Sequence, residues 1–312
     1  MLKVPGATVD VSAVSGAARS ALVIFNPTAG RRRRQRLQRA LARLTSLGVA
    51  VTLRETTAAG DARAFASTAT GVDIVAVAGG DGTINEAANG LAGRADAPAL
   101  AIIPLGTANV LAAELGFVDM APEAAAAAIA AGAIRPACLG VANGRVFCQM
   151  AGVGFDAHVV AGIDIALKRR LGKLVYVVET LHQLVRYRPR LYAIDIDGKR
   201  RVAASAVIAN GHFYAGRYTC APDASIDAPD FRVCLFTRAG RWHVLRYALG
   251  LFTGRLHRFA DVEIVAGRAI RIAALADDGA VEPVQGDGDV ITTLPVDIAI
   301  APERLGIVRP AG

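Results

Sequence analysis

The sequence lacks long uncharged apolar runs, paired cysteine spacings and a secretory leader. Its 312 residues include 4 cysteines with no CxxC spacing, which is too few for a disulfide framework in a chain of this length. The longest uncharged stretch, residues 97–113, contains Pro98 and Pro104 and is too broken to span a membrane. The first 20 residues have no apolar segment behind a basic start. We therefore expect reduced thiols and a cytoplasmic protein.

Acidic residues are also in deficit. The chain has 35 Lys and Arg against 27 Asp and Glu, a net charge of +8. Such an excess favours an anionic partner, which could be nucleic acid, an acidic membrane face or a phosphorylated ligand. The five histidines are scattered without metal-ligand spacing.

The length of the chain favours two domains that meet at a cleft. Residues 20–137 alternate buried-strand and amphipathic-helix patterns, which predicts a parallel sheet covered by helices. The predicted strands are Ala21–Phe25, Val49–Leu53, Asp73–Ala78 and Leu100–Ile103, and the predicted helices are Arg31–Leu47, Asp61–Ala69, Ile84–Leu91 and Ala124–Ala133.

Residues 138–295 change to short alternating strands with turns, which is typical of an antiparallel, sandwich-like β domain. The segment 296–312 is expected to return to the first domain, an α/β nucleotide-binding unit. The clearest predicted elements are the strands Leu191–Asp195, Val202–Ala209, Arg232–Phe236, Ala269–Ala274 and Val296–Ile300, and a helical interruption over Ile163–Arg186.

The third predicted strand runs directly into Gly79-Gly80-Asp81-Gly82-Thr83, and a helical pattern follows at once. Glycines at such a turn let backbone amides approach a phosphate, and the helix amino terminus adds favourable partial charge. The segment is neither a Walker A motif nor a GxGxxG fingerprint. Asp81 among phosphates is typical of a carboxylate that reaches Mg²⁺ or a hydroxyl. A tight turn with an Asp helix cap would use the same residues.

Three further loops are predicted at the same edge of the sheet. Pro104-Leu105-Gly106-Thr107-Ala108-Asn109 follows the fourth strand, Asn26-Pro27-Thr28-Ala29-Gly30 follows the first, and Thr56 follows the second. Open α/β sheets bind ligands at the carboxyl ends of their strands. Any one loop could be an ordinary turn, but four at one edge indicate a nucleotide site.

The order and spacing of these motifs resemble the bacterial diacylglycerol-kinase group, which also includes sphingosine and ceramide kinases. The resemblance extends over residues 20–309. It rests as well on Asn85-Glu86-x-x-Asn89-Gly90, on Gly152-x-Gly154-Phe155-Asp156 and on Asp287-Gly288-Asp289.

The resemblance implies an ATP- and Mg²⁺-dependent lipid kinase whose β-rich domain holds the lipid. Asp289 occupies the position of the family's proposed general base, and Asp81 and Asp287 are the other candidate catalytic carboxylates. The loops and the resemblance together give the expected ATP contacts as Asn26, Thr56, Gly79, Gly80, Asp81, Gly82, Thr83, Ile84, Asn85, Gly106 and Thr107.

Two positions depart from the family pattern. Asp289 replaces the usual Glu, so its oxygen must be brought closer to the hydroxyl, with Asp287 in support. The alternative is that residues 285–289 are simply a hairpin turn, since Asp and Gly are strong turn residues. In the loop that usually holds a structural Mg²⁺, Ala228 and Pro229 replace an Asp-Gly pair. The remaining candidate metal ligands there are Ser225, Asp227 and Asp230, for which capping and turn roles stay open.

Basic residues gather in two clusters. A solvated face is the default interpretation of each. The more specific interpretation is contact with phosphates or an anionic bilayer, whose attraction contributes about 1 kcal/mol of binding free energy per Lys or Arg. With a lipid substrate, it predicts peripheral attachment at the inner face of the membrane and no nucleic-acid partner, while a homodimer stays open. The clusters are Arg31–Arg34 with Arg36, Arg39 and Arg43, and Lys168, Arg169, Arg170 and Lys173 with Arg186, Arg188 and Arg190.

Two other functions remain open. NAD kinases and phosphofructokinases also use a Gly-Gly-Asp-Gly loop, so the substrate could be soluble, although the loop at residues 104–109 and the Gly-Phe-Asp element look like the lipid-kinase group. A nucleotide-binding protein without catalysis is the third hypothesis, motivated by Asp289 and the altered metal loop. Diacylglycerol, ceramide, a sphingoid base and phosphatidylglycerol all stay open as acceptors.

Overall fold

The computed structural model describes residues 18–27, 31–106, 108–117, 119–163, 174–214, 216–276 and 278–310. Within these ranges the first part of the chain forms an α/β unit. Its elements are β1 (Ser20–Phe25), α1 (Arg31–Ser46), β2 (Ala50–Glu55), α2 (Asp61–Ser67), β3 (Ile74–Gly79), α3 (Asp81–Leu91), β4 (Ala99–Pro104), α4 (Val110–Glu114), α5 (Pro122–Ala131) and β5 (Ile134–Ala137).

The sheet of this unit has the order β2-β1-β3-β4-β20-β5, in which β20 (Leu305–Val308) comes from the end of the chain. The first five strands in that order are parallel, and β5 is antiparallel at the edge. Every residue of β3 and β4 is buried, because parallel strands are covered by helices on both faces. The α/β fold with a parallel sheet is confirmed.

The order of the strands determines where a ligand can bind. From β1 the chain first adds β2 on one side and then β3 on the other. The carboxyl ends of β1 and β3 therefore flank the point where the winding direction reverses. Crevices at such a switch point are the usual ligand sites of open α/β sheets.

The second unit is a pair of six-stranded antiparallel sheets, with the orders β10-β9-β16-β19-β6-β7 and β15-β14-β11-β8-β17-β18. Apolar side chains from both sheets, including Tyr192, Phe231 and Val284, form one buried core. The strands are β6 (Gly140–Ala142), β7 (Arg145–Phe147), β8 (Met150–Val153), β9 (Tyr192–Ile196), β10 (Lys199–Ala203), β11 (Ser205–Ala209), β14 (Phe231–Phe236), β15 (Val262–Gly267), β16 (Ala269–Ala274), β17 (Pro283–Gly286), β18 (Asp289–Thr293) and β19 (Val296–Ile300).

Three helices and a small hairpin cover one side of this sandwich. Tyr247 of one helix packs with Cys220, Cys234 and Leu256 in a separate buried cluster. The elements are α6 (Phe155–Gly162), α7 (Leu174–Arg186), α8 (Arg241–Phe252) and the hairpin of β12 (Phe213–Tyr214) and β13 (Tyr218–Thr219). Within the described ranges no helix is long and apolar enough to cross a bilayer.

Several predicted elements differ from the structure. The predicted strand 202–209 is two strands, because the chain passes from one sheet to the other at Ala204: β10 pairs with β9, whereas β11 pairs with β14 and β8. The predicted helix 163–186 corresponds to α7 at its end, and residues 164–173 lie outside the described part. The helix α8 was not predicted. The predicted returning segment is divided, since β19 lies in the sandwich and β20 in the first sheet.

Candidate active site at the domain junction

Two glycine loops of the α/β unit contact each other through their backbones. Gly79 ends β3, and α3 begins at Asp81. A Cβ at Gly79 would lie 2.9 Å from Thr83 Cβ, and one at Gly106 would lie 2.5 Å from Gly80 Cα. Neither distance leaves room for a side chain, so both positions require glycine.

Gly82 differs from its neighbours. Among the described residues, a Cβ there would have only Asp289 Oδ2 within 4 Å, at 3.3 Å. The first turn of α3 therefore exposes backbone on this side, as a phosphate at a helix amino terminus requires. Asp289 comes from the β sandwich, so the two units meet at this turn.

Asp81 holds the loop that follows β4. Its Oδ2 accepts the Asn109 amide at 2.9 Å, and its Oδ1 accepts the Val110 amide at 2.6 Å. Asn109 has a φ of 50° and donates from Nδ2 to the Gly106 carbonyl at 2.8 Å. Asp81 thus caps α4 and fixes the two glycine loops relative to each other.

Two other predicted contacts reach the same crevice. Asn26 Nδ2 donates to Thr83 Oγ1 at 3.0 Å, which connects the end of β1 to the first turn of α3. Thr56 is buried after β2, and its amide donates to the Phe25 carbonyl at 2.8 Å. The structure thus brings Asn26, Thr56, Gly106 and residues 79–85 to one edge of the sheet. Thr107 lies outside the described residues.

Asp287 joins the two units. It stands with Gly288 in the two-residue turn between β17 and β18, where both have positive φ, 51° and 85°; Asp-Gly is a favoured pair for such a turn. Burial raises the pKa of Asp287, and its hydrogen bonds oppose that rise. Its carboxylate accepts four of them, from Asn85 Nδ2 (2.7 Å) and from the amides of Cys148 (2.6 Å), Gln149 (2.8 Å) and Met150 (3.1 Å).

Asn89 reinforces the same junction from one turn further along α3. Its Nδ2 donates to the Val146 carbonyl and its Oδ1 accepts the Val146 amide, both at 2.9 Å. The amide side chain thereby pairs with β7 as a neighbouring strand would. Asn89 was not among the predicted site residues, although its spacing of four from Asn85 places both on one helix face.

Asp289 begins β18 and is exposed at the mouth of the junction. The turn of residues 287–288 places it beside Gly82, so the hairpin interpretation and the site interpretation apply to the same residues. A small cleft with a volume of about 20 Å³ lies beside the neighbouring Asp287. Its lining includes Asp81, Ile84, Asn85, Val110, Cys148 and Asp287.

The Gly-Phe-Asp element supports the hairpin from behind. Gln285 donates from Nε2 to Asp156 Oδ2 at 2.7 Å and accepts the Gly288 amide on Oε1 at 3.0 Å. Tyr214 also donates its hydroxyl to Asp156. Burial raises the pKa of Asp156, which these two hydrogen bonds oppose. Gln285 was not predicted as a site residue, because its role depends on partners far away in the sequence.

Two of the three candidate metal ligands pair with arginines. Asp227 pairs with Arg309, and Asp230 Oδ2 lies 2.8 Å from Arg232 Nη1. The Ser225 hydroxyl accepts the Asp227 amide at 3.3 Å. In the described part of the chain no group of three or more His, Cys, Asp or Glu side chains could hold a metal ion. The two candidate carboxylates of this loop thus already have basic partners within the protein.

The basic helix α1 uses several of its charges within the protein. Arg34 pairs with Glu55 at 2.7 Å, and Arg39 lies 3.4 Å from Glu123. Arg36 donates to the Pro104 carbonyl at 3.2 Å, at the edge of the crevice. Burial and the charge of Arg36 lower the pKa of Arg33. Lys168, Arg169, Arg170 and Lys173 of the second cluster lie outside the described residues.

Known proteins share both units. Residues 20–142 match the family described as the diacylglycerol kinase catalytic domain, and residues 149–309 match the YegS C-terminal NAD kinase beta sandwich-like domain. A diacylglycerol kinase of Bacillus subtilis (strain 168) is 32% identical over 257 residues, 81% of this chain and 84% of that protein. One of Mycobacterium tuberculosis (strain CDC 1551 / Oshkosh) is 31% identical over 283 residues, covering 87% and 88%. A crystal structure of a diacylglycerol kinase from Bacillus anthracis str. Sterne has a TM-score of 0.75 at 25% identity, covering 94% and 97%.

Proposed function

We propose a specific reaction for this chain, which belongs to the diacylglycerol kinase family: transfer of the γ-phosphoryl group of ATP to the hydroxyl of a membrane lipid. The observation that carries the proposal is the position of Asp289 beside Gly82, with Oδ2 3.3 Å from the point where a Cβ would stand. A carboxylate of one unit thus borders the glycine turn of the other. Phosphoryl transfer needs this pairing of a phosphate site and a base that orients the acceptor.

The α/β unit binds the nucleotide in this proposal. Backbone amides from Gly79 to Thr83 and the α3 amino terminus hold the phosphates. Asp81 and Asp287 act as positioning residues, because their carboxylates accept two and four hydrogen bonds within the protein. Asn26 and Thr56 complete the wall of the crevice.

Asp289 is the proposed general base. It accepts the proton of the lipid hydroxyl as the oxygen attacks the γ-phosphorus, and ADP leaves on the opposite side. The exposed position of Asp289 leaves room for an acceptor to approach. The side chain of Asp289 is shorter than that of the usual Glu. It remains compatible with this role because Gly82 has no side chain that would separate Asp289 from the phosphate site.

Mg²⁺ is proposed to enter with the nucleotide, where it would neutralise phosphate charge. The Ser225–Asp230 loop holds no such ion in this proposal. We therefore expect phosphoryl transfer to require Mg²⁺ while the melting temperature of the protein without ATP does not change when EDTA is added. A large destabilisation by EDTA alone would contradict this division.

A lipid acceptor makes the protein peripheral to an anionic membrane. Screened attraction of basic residues should weaken with salt, since the Debye length is roughly 8 Å at physiological ionic strength. Arg32, Arg33 and Arg186 belong to the basic clusters and lie in the described part. Vesicle binding that depends neither on the content of anionic lipid nor on the salt concentration would count against this attachment.

The test of the function is incubation with γ-labelled ATP and mixed micelles containing diacylglycerol, ceramide, a sphingoid base or phosphatidylglycerol, with and without Mg²⁺. We expect label in at least one lipid and none without Mg²⁺. Asp289→Asn in parallel controls for contaminating kinases. Release of inorganic phosphate with no labelled lipid in any panel member would contradict the proposal.

A soluble acceptor is the alternative that one observation favours. The second unit matches a domain described as NAD kinase beta sandwich-like. NAD belongs in the same panel for this reason. Label in NAD rather than in lipid would replace the proposed acceptor class while retaining the nucleotide site.

A further inference from the structure

We propose that the outer face of α8, together with the adjoining face of α7, inserts into the surface of an anionic lipid bilayer. The inference rests on the proposed function in one respect: a lipid acceptor must be reached where it resides, in a membrane. It assigns the contact to α8, which belongs to neither basic cluster, and to the adjoining α7, which ends at Arg186 of the second cluster.

The outer face of α8 carries large apolar side chains. The exposed fractions are 78% for Trp242, 43% for Leu245, 62% for Leu249 and 60% for Phe252. Their spacing of three, seven and ten residues places all four on one side of the helix. A surface helix normally presents polar residues on that side, and a contiguous exposed apolar face marks an interaction surface.

The inner face of α8 is held in place, so the helix cannot turn its apolar side inward. Tyr247 donates its hydroxyl to Asp261 at 2.7 Å, and its ring lies 5.0 Å from the ring of Phe236. A Cβ at Gly250 would lie 2.7 Å from Phe259, so the helix packs closely there. The exposure of the outer face therefore follows from the fold.

The charge around α8 identifies the partner. Residues 237–260 contain five arginines and no Asp or Glu. A helix with Trp and Leu on its apolar side and arginines at its borders is typical of segments that lie in a membrane interface, and anionic headgroups attract such arginines. Four of the arginines, Arg238, Arg241, Arg255 and Arg258, are exposed, and the fifth, Arg246, pairs with Asp261 at the inner side of the helix.

The neighbouring helix α7 extends the apolar face. Val177, Leu181 and Val185 are all exposed on it. A cleft between the two helices, with a volume of about 180 Å³, is lined by Leu184 and Val244 as well as by Gln183 and Arg241. Both helices therefore contribute apolar side chains to one cleft at this surface.

Contacts connect this surface to the active site. The ring of Phe252 lies 4.8 Å from that of Tyr218, which pairs with Tyr214 across the β12–β13 hairpin. Tyr214 donates to Asp156, the residue that holds Gln285 behind the Asp289 hairpin. A bilayer bound at α8 would therefore lie against the unit that supplies the proposed base.

Trp242 is the single tryptophan of the chain, which makes its fluorescence a direct probe. The full-length protein is titrated, without ATP or acceptor, with phosphatidylcholine vesicles with and without phosphatidylserine, an anionic lipid that is not among the candidate acceptors. We expect a blue shift of the emission with the anionic vesicles and quenching when the acyl chains are brominated. The double variant Leu249→Gln, Phe252→Ser should bind these vesicles roughly 10- to 100-fold more weakly.

Leu47→Gln is the matched control, because Leu47 is 40% exposed at the end of α1 and should leave binding unchanged. Unquenched Trp242 in protein that co-sediments with brominated vesicles would overturn the proposal, and so would wild-type affinity of the folded double variant. Sedimentation velocity tests whether a second copy of the chain covers this face instead. A dimer that the double variant dissociates, with vesicle binding unaltered, would assign the face to a second copy.

This experiment is independent of the reaction. Neither nucleotide nor acceptor is present, so inserted Trp242 in a protein that labels no lipid would leave the surface established and reject the proposed function. Labelled lipid in mixed micelles with no insertion of Trp242 would do the reverse.

Discussion

The crevice of the α/β unit and the outer face of α8 expose opposite kinds of surface. The crevice presents backbone, and Gly79 and Gly106 approach their neighbours so closely that side chains are excluded at these two positions. The face of α8 presents apolar side chains, of which Trp242 and Leu249 are the most exposed. Backbone amides suit a charged phosphate, whereas apolar side chains gain free energy only when something covers them.

The difference separates the two substrates of the proposed reaction. For the nucleotide of the proposed reaction we expect a site with geometry fixed in advance, because Asp81 and Asp287 have their oxygens occupied by hydrogen bonds within the protein. For the lipid we expect recognition first as part of a surface. The Asp289 hairpin is where the two meet, so substitutions there should affect turnover more than binding.

The largest expected effect is at Asp289. Asp289→Asn retains size and should retain ATP affinity but reduce turnover by roughly 10²–10⁴-fold, the usual contribution of a positioned general base. Asp289→Glu should be tolerated, because it restores the carboxylate that the family uses. Initial rates of lipid phosphorylation measure both. Near-normal rates for folded Asp289→Asn would show that another group accepts the proton.

Glycine substitutions should separate nucleotide binding from stability within the crevice. Gly82→Val should lower ATP affinity by roughly tenfold or more with little loss of stability, since in the described part its Cβ meets a side-chain oxygen of Asp289 at 3.3 Å and no backbone of another element. Gly106→Ala should instead lower the free energy of unfolding by about 1–3 kcal/mol, because its Cβ meets backbone. Calorimetric ATP titration and urea unfolding distinguish them. Unchanged ATP affinity in folded Gly82→Val would contradict the phosphate site.

Asp287→Asn should weaken the junction between the units. Four hydrogen bonds to its carboxylate are replaced by an amide that accepts on one side only, at a cost of roughly 1.5–3 kcal/mol in the free energy of unfolding. Urea unfolding measures the loss. Asp223→Asn is a suitable control, because Asp223 is exposed in a loop. Equal stability of the two variants would remove the positioning role of Asp287.

The smallest effect is expected at Asp73, at the opposite edge of the first sheet. Hydrogen bonds from the Arg19 amide and from Ser20 lower the pKa of Asp73. A carboxylate with a lowered pKa stabilises the fold at pH values above the ordinary pKa of Asp, about 4. This stabilisation decreases as the pH falls below that value. Asp73→Asn should therefore cost roughly 0.5 kcal/mol at neutral pH, since water screens an exposed group, and progressively less as the pH falls through the lowered pKa of Asp73. A stability difference between the wild type and Asp73→Asn that grows on acidification would contradict this prediction.

The α/β unit could be predicted from the sequence because its signals are local. The apolar strands β3 and β4 and the amphipathic helix α1 have clear periods, and the glycine turn marks the start of α3. The junction could not be predicted. Asn85 and Asp287 are 202 residues apart, and no local pattern reports that they form a hydrogen bond.

The helix α8 was not predicted for a related reason. Residues 241–252 are apolar on both faces, with Tyr247 buried and Leu249 exposed, so they lack the single stripe that indicates a surface helix. The absence of a single apolar stripe in this helix reflects its second apolar face, which the fold leaves uncovered. Only the position of α8 on the sandwich shows which apolar side chains face outward.

The most direct test of the central claim is the dependence of phosphorylation on lipid surface concentration. Diacylglycerol, or whichever acceptor is labelled in the panel, is diluted within mixed micelles at constant bulk amount, with saturating Mg²⁺-ATP. A kinase that meets its acceptor at a surface predicts a rate that falls with the mole fraction of acceptor in the micelle and stays constant when the whole micelle population is increased at saturation. A rate set only by bulk concentration, or label carried by a soluble acceptor such as NAD, would contradict it.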